Sequence, residues 1–576
     1  MTTFPQVSPL PRAAATLRAL RIPNALLRVI ERVSGFAAVL AFFIIVTIAI
    51  FWPWAAHLHS ALVGPPEDNM NDFWNTWYAV SGKDQSHFFA TRLLRFPEGT
   101  SLIYQSFAYP QVFAVWALSR FFGADLGTLV ALQNLTLLAS FPLAGVAAFY
   151  LVRHLTHSAL GSLIGGFAFA FNPAHVAQAL HHAGVSSIEF LPLFVLAYLL
   201  ALDRQSKVWI AVAVVCLALG ALSSWYYLFY GIYFLGFHIL YERVRDHAWP
   251  RGWHVVAPAV CVLSTVVVLS PLIIPMVIAV RPSVYMPGGN IYVADVLAYV
   301  TFPPAHLLFG LTRGLYLRFT GDPWEATVYL GLVNLVVLGW GCLRTGVGRN
   351  SLMFYVVFGM LVFCILACGE TLHVAGISTH VPLPDTALDK LPFFANVRTP
   401  ARAIVFVYLF MSIGIGAAAA AILQPRRWTS TASILAVAAL IAMDFYPTNL
   451  AATPVACAEG LSVLKADTER NFGVLNLPIG HIEENAYMLD QVCHRRPIVG
   501  GITTREMGTS LIYRLSLADL GKQREQLVQS HVKYILLHLS HDGLYNWNKE
   551  LAPVAQFLMT YRTVYAGSDL VVLKVY

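Results

Sequence analysis

Charge is scarce in this 576-residue chain: Asp, Glu, Lys and Arg together make up 12%, where a soluble globular protein carries about 25%. Hydrophobic residues make up 57% and the mean hydropathy is +0.64. Such a chain has too few polar groups to clothe a water-facing surface, which excludes an ordinary soluble enzyme as well as a disordered, collagen-like or coiled-coil polypeptide. Cysteine is also sparse. There are seven, with no CxxC or CxxC…HxxH spacing, which argues against a zinc site and a disulfide-framed scaffold. No internal repeat or low-complexity tract is present. The formal charge of +7 is not gathered in one patch, so nucleic-acid binding is excluded. An integral membrane protein remains, with lipid as its main solvent.

Apolar runs stand near residues 34–56, 128–152, 160–174, 187–202, 208–222, 225–242, 254–280, 326–343, 352–368, 403–423 and 430–447. Several are shorter than the ~20 residues of a straight span. Loop charge sets the orientation. With the basic segment 1–33 inside and 107–122 left out as a span, the inside loops hold 15 Lys+Arg in 70 residues, and the outside segments hold 10 in 162. If 107–122 spanned, every later loop would change sides and the bias would invert. It therefore reads as an interfacial or re-entrant helix. The expectation is a polytopic α-helical membrane protein of eleven spans, the transmembrane domain covering 34–447, with a cytoplasmic N-terminus (1–33) and the run at 36–51 kept as a signal anchor. Long outside loops fall at 57–127, 281–325 and 369–402. From residue 448 the composition changes: short β-rich stretches such as 473–477, 532–537 and 570–575 alternate with helical patterns at 460–470 and 516–530. Residues 448–576 are expected to form an extracytoplasmic α/β domain. Cys457 and Cys493, its two cysteines, stand in an oxidising compartment on this topology and are candidates for a disulfide.

The first outside loop carries the densest chemistry. Glu67-Asp68-Asn69-Met70-Asn71-Asp72 runs directly into Phe73-Trp74-Asn75-Thr76-Trp77-Tyr78, an acidic cluster beside aromatic residues suited to the headgroup level. A carboxylate there serves either as a general base on an acceptor hydroxyl or as a ligand for a divalent metal; the plainer alternative is that Asp72 caps a juxtamembrane helix. Arg398 and Arg402 stand four apart at the start of a span, on one helical face, and lie outside, against the positive-inside trend. Their guanidinium forks suit a lipid-linked phosphate, or they snorkel or pair with Asp385 or Asp389 in the same loop. His175, His181 and His182 share one short outside loop and read either as metal ligands with Asp72 or as hydrogen-bonded loop histidines. Glu325 stands at the mouth of a span, where it contacts substrate or caps the helix beginning at 326.

The acid-plus-aromatic first loop with its interfacial helix, the basic turn Leu151-Val152-Arg153-His154-Leu155 and the turn Phe171-Asn172-Pro173 together resemble the polytopic glycosyltransferases of the GT-C type. So do His181-His182-Ala183-Gly184, Glu325 with Tyr329-Leu330-Gly331, and the stretch Leu391 to Arg402. The nearer resemblance is to a bacterial glycosyltransferase or YfhO-like group of that superfamily. It implies transfer of a sugar from a polyprenyl-phosphate donor to an outer-face glycolipid, polysaccharide or protein, with inversion, in the bacterial inner membrane. It also implies that Asp72 is the catalytic carboxylate, with Asp68 and Glu67 as rivals. Arg398, Arg402, Glu325, His182 and Trp74 are the expected substrate-binding residues, and Mg²⁺ or Mn²⁺ held through Asp72 is the expected cofactor, if any. The oligosaccharyltransferase Trp-Trp-Asp signature is missing; Ser224-Trp225-Tyr226-Tyr227 is a superficial echo of it. His494-Arg495-Arg496-Pro497 with Gly500-Gly501 also matches the group. Two other readings stand beside this one: a non-catalytic scaffold subunit, and a lipid-linked saccharide transporter. The transporter would need paired charges deep within spans, and few are visible.

Overall fold

The computed structural model describes residues 24–81, 87–280, 290–349, 351–391, 394, 397–423, 428–505, 509–539 and 551–576. Most of the basic N-terminal segment 1–33 and part of the 391–402 motif lie outside the described residues.

Each of the eleven apolar runs is a helix, from Asn24–Ile50 to Trp428–Asp444. Among the described residues, three helices are long and apolar enough to cross a membrane: Leu126–Thr156, Trp253–Ala279 and a stretch covering Pro400–Ile422. A bent pair, Ala159–Ala170 with Pro173–His181, makes a fourth if it is one span. The bend follows from the Phe-Asn-Pro turn. Asn172 leaves helical geometry and its side chain caps the next helix by accepting from the His175 N–H at 2.8 Å, while Pro173 occupies a first-turn position where no N–H is needed. The long helix Leu126–Thr156 starts on the Asp125 cap, which accepts from the Thr128 N–H, and stops at His157, whose φ is 56°. Small residues let helices close. A Cβ on Gly165 would lie 2.5 Å from the Ser412 carbonyl oxygen of helix Ile404–Leu423, the kind of approach that helix packing in lipid exploits.

The stretch 107–122 forms the helix Tyr109–Phe122. It buries Val112 and Val115 but leaves Phe113, Phe121 and Phe122 exposed, so large apolar side chains are available to an apolar environment.

The C-terminal region is built on a four-stranded sheet in the order Gly473–Leu477, Val532–His538, Leu570–Lys574, Arg562–Ala566. The first pair is parallel and the other two are antiparallel. Its edge is extended by chain from the first loop. The Ile498 N–H donates to the Leu93 carbonyl (2.9 Å), and the Phe96 N–H to the Ile498 carbonyl (3.0 Å), while Ile498 bridges Val474. This edge is paired rather than open. Ala61–Val63 pairs antiparallel with Ala452–Pro454, and a disulfide joins Cys457 to Cys493 with a Cα–Cα distance of 5.7 Å. The first loop and the C-terminal region are thus stitched into one body.

Candidate functional site

The acidic cluster begins the helix Asp68–Ser81, with Asp68 in the first turn, where a carboxylate is favoured by the helix dipole. The aromatic face of this helix is buried: Phe73, Trp74, Trp77 and Tyr78 are each at most 4% exposed. Trp74 stacks on Tyr78 and its indole N–H donates to Gln491 Oε1 at 2.7 Å. Trp74 is therefore committed to holding the C-terminal helix His481–His494, and the sequence expectation that it faces substrate is corrected on that ground. Burying this face turns Asp68 and Asp72, four residues apart, the other way.

Asp72 sits inside its helix, so it is not that helix's cap. Its Oδ2 accepts the backbone N–H of Ala183 at 2.8 Å, the first residue of the short helix Ala183–Ser186. The His181-His182 pair is thereby drawn onto the acidic cluster. His181 Nδ1 lies 3.0 Å from Glu67 Oε2 and its ring packs on Trp324 with centroids 4.5 Å apart. His182 is held between two carboxylates: Nδ1 is 3.5 Å from Asp68 Oδ2, and Nε2 is 3.1 Å from Glu325 Oε1.

Glu325 is the hub. Arg402 grips it with both arms of its fork, Nε at 3.0 Å from Oε2 and Nη2 on Oε1, and Gln178 Nε2 donates to Oε2 at 3.1 Å. The Arg402 guanidinium also lies 4.8 Å over the Tyr226 ring, and the Tyr226 hydroxyl donates to Thr399 Oγ1. Gln178 Oε1 and His181 Nε2 are buried with no hydrogen-bond partner among the described residues. A cavity beside Gln178 is lined by residues that include Asn172, His175, Tyr227, Glu325 and Arg402.

The electrostatics separate the two acids. Burial pushes the Asp72 carboxyl up to about 7, against opposing pulls from His182, the Ala183 N–H and Arg402, with Asp68 adding repulsion. Burial acts on Glu325 in the same sense, but Arg402 and His182 hold it far below the ordinary carboxylate range. Glu67 is lowered chiefly by its hydrogen bond to His181. One carboxyl is thus poised to take a proton near neutrality and another is locked in its ionised form, a division of labour typical of acid–base sites.

Asp68, Asp72, His182, Glu325 and Arg402, scattered over more than 300 positions, meet in one place. Three expectations are corrected. Arg402 is not an open phosphate clamp, because its fork is occupied by Glu325. Arg398 and Arg402 do not share a helical face: Arg398 precedes the 3₁₀ turn Pro400–Ala403, since the residue before a proline is driven out of helical geometry. Glu325 caps nothing, because the following helix starts at Leu332. His175 is a core residue, stacked on Phe141 and bonded to the Ala170 carbonyl and Ser140 Oγ. Tyr226, Gln178 and Trp324 join the site without having been singled out from the sequence. The break at Ser224 between two apolar helices was the one available signal for Tyr226.

A divalent ion does not fit these donors as they stand. Asp72 gives one oxygen to Ala183, Glu325 gives both to Arg402, and among the described residues no three His, Cys, Asp or Glu side chains are disposed to share an ion.

Comparison with solved structures shows the GT-C glycosyltransferase fold. The oligosaccharyltransferase AglB of Archaeoglobus fulgidus, solved with an inhibitory peptide and a dolichol-phosphate, matches at 11% identity over 92% of this chain and 72% of that one, with a TM-score of 0.51. Its apo form matches with a TM-score of 0.53 at 11% identity over 92% and 73%. The mycobacterial arabinofuranosyltransferase AftD matches with a TM-score of 0.57 at 12% identity, over 94% of this chain and 41% of that one. At these identities the likeness is one of fold. No curated protein matches the sequence. Residues 36–445 match the model of the family described as Domain of unknown function (DUF6311), which takes in most of the chain, and the chain belongs to that family.

Proposed function

We propose that this protein is a membrane glycosyltransferase that moves a sugar from a polyprenyl-phosphate donor to an acceptor hydroxyl at the outer face of a bacterial inner membrane. The proposed arrangement has eleven spans, with the N-terminus cytoplasmic and residues 448–576 extracytoplasmic. The observation that carries the reading is the meeting of Asp72, raised to about 7, with the locked His182–Glu325–Arg402 group on a GT-C fold. A transporter would place such charges deep within its spans, whereas these acids stand on the helix Asp68–Ser81 and in the chain before the helix that starts at Leu332.

In the proposed step the acceptor oxygen attacks the anomeric carbon as Asp72 takes the hydroxyl proton. The bond from that carbon to the phosphate oxygen breaks, and its electron pair leaves on the polyprenyl phosphate. Inversion follows from a single displacement. Arg398 holds the departing phosphate. Arg402 and Glu325 position His182, which orients Asp68, and Gln178 Oε1 and His181 Nε2 are spare polar atoms for sugar hydroxyls. No step is routed through a metal. AglB was solved with dolichol-phosphate, which supports a lipid-phosphate donor for this fold.

The test is release of polyprenyl phosphate by the purified protein in lipid nanodiscs, with a panel of polyprenyl-phosphate sugars and a glycan or lipid acceptor. Wild type is expected to release it with a rate that rises up to about pH 7 and then levels. Asp72→Asn is expected to lose about 100-fold or more of that rate, the scale of a lost general base. Turnover by Asp72→Asn equal to wild type removes Asp72 from the mechanism.

A further inference from the structure

We propose that the segment 307–318 is a membrane-surface anchor, docked on the bilayer with Leu307, Leu311 and Leu317 among the acyl chains and with Arg313 and Arg318 on anionic headgroup phosphates. The inference goes beyond the proposed function, since it needs a bilayer and no sugar transfer.

The segment stands in the second long loop. It carries two arginines, and no acidic residue occurs from Ala305 to Gly321. Its middle is the helix Phe309–Tyr316. Thr312 and Tyr316, four apart, share one face of that helix, and this face is fastened to the protein. Thr312 Oγ1 donates to the Phe302 carbonyl at 3.1 Å, and the Tyr316 hydroxyl donates to the Pro323 carbonyl at 2.7 Å. The far end is held by the hairpin of Thr371–Val374 and Ile377–Pro382. The buried Asp295 carboxylate accepts the Ala375 and Gly376 N–H groups at the tip of that hairpin, at 3.1 and 2.8 Å. Gly376 has φ +82°, and a Cβ there would fall 1.9 Å from the Arg318 carbonyl oxygen. A glycine is what lets the hairpin close on the segment.

The other side is open. Leu307, Leu311 and Leu317 are 72%, 77% and 59% exposed, Arg313 and Arg318 are exposed, and a Cβ on Gly310 or Gly314 would meet nothing within 4 Å. A large apolar patch rimmed by charge marks a membrane or partner surface, and the height of the segment selects the membrane. His306, the residue before it, bridges Pro447, and the Thr448 N–H donates to the Ala305 carbonyl at 2.6 Å, just past the end of the apolar helix Trp428–Asp444. Asp444 Oδ2 in turn accepts the Val333 N–H at 3.0 Å, in the first turn of the apolar helix Leu332–Thr345. The segment is thus fixed where two apolar helices end, which is the headgroup level. The outward leucines continue the apolar surface of those helix ends, where Met443 and Leu332 are also exposed. An amphipathic element at that level, with leucine and arginine on its open side, lies in the interface plane and favours anionic lipid. Tyr316 and Pro323 lead directly into Trp324 and Glu325, so the docked segment holds the hub of the site at headgroup height.

The experiment uses the full-length protein in nanodiscs of phosphatidylcholine and phosphatidylglycerol, one copy per disc. Hydroxyl-radical footprinting, read by peptide mass spectrometry, is expected to leave Leu307, Leu311 and Leu317 nearly unmodified, while Leu558 of the C-terminal region, also exposed, is modified freely. Modification of the three leucines at the Leu558 rate overturns the docking. Protection that appears only in discs holding two copies also overturns it, because the occupant is then a second copy rather than lipid. A phosphatidylglycerol with a photoactivatable headgroup is expected to cross-link to the peptide 305–320. Arg313→Gln combined with Arg318→Gln should lower that yield about 10- to 30-fold, at roughly 5-fold for each basic residue near an anionic surface. An unchanged yield overturns the headgroup contact. Both side chains point away from the fastened face, so the double variant is expected to keep the wild-type melting temperature. None of these readouts depends on Asp72 or on turnover.

Discussion

Replacing Asp72 by Asn tests the electrostatic assignment without any substrate. Carrying the carboxyl from 3.8 to about 7 disfavours the ionised form by about 4 kcal/mol. Asp72 is only partly buried by surface exposure, so solvent screening reduces this to about 2 kcal/mol. Between about pH 4 and 7 the folded protein keeps a proton on Asp72 that the unfolded chain has lost. Stability from this residue is therefore greatest near pH 4, falls as the pH rises to about 7, and is level above that. Asn preserves an oxygen for the Ala183 N–H and removes the charge. Asp72→Asn is expected to unfold like wild type at pH 4 and to be more stable by about 2 kcal/mol at pH 8, a gain of function-costing groups seen at other active sites. The assay is chemical unfolding in detergent at both pH values, followed by tryptophan fluorescence. A variant less stable than wild type at pH 8 would refute the reasoning and make Asp72 a structural carboxylate.

Glu325→Gln leaves the Arg402 guanidinium, with 11% of its side chain exposed, without its counter-ion. It should cost about 3–5 kcal/mol, and Glu325→Gln with Arg402→Gln should recover much of that loss in the same unfolding assay; equal stability of Glu325→Gln and wild type would contradict the hub. Gly500→Ala drives a methyl group into the Glu484 carboxylate and should cost about 1–3 kcal/mol. It should also loosen the hydrogen bond from the Thr504 N–H to Gln105 Oε1, read as faster proteolysis of the 500–505 loop, and an unchanged proteolysis rate would contradict the fastening role of the turn.

Much of the helical frame was legible because lipid makes apolar run length and loop charge informative. The runs at 128–152 and 254–280 became Leu126–Thr156 and Trp253–Ala279 with small end shifts. The acid Asp72 was legible because it stands beside a break in the apolar pattern. Its environment was not, because Ala183, Glu325 and Arg402 come from distant loops and only the fold brings them together. Trp74 was misjudged for a related reason. An aromatic residue near the membrane suits headgroups and a protein core equally well, and the choice was made by Gln491, more than 400 positions away. Arg402 was recognised as a cation needing a partner, but the partner is Glu325 rather than Asp385 or Asp389.

The central claim is that lipid-phosphate chemistry occurs where the first loop and the 398–402 segment converge. The most direct measurement is an electron cryomicroscopy map of the protein with undecaprenyl phosphate. The account predicts phosphate density within hydrogen-bond reach of Arg398, on the side of the site that faces Asp72. Density for the phosphate at another surface, with packed side chains filling the space between Arg398 and Asp72, would contradict it.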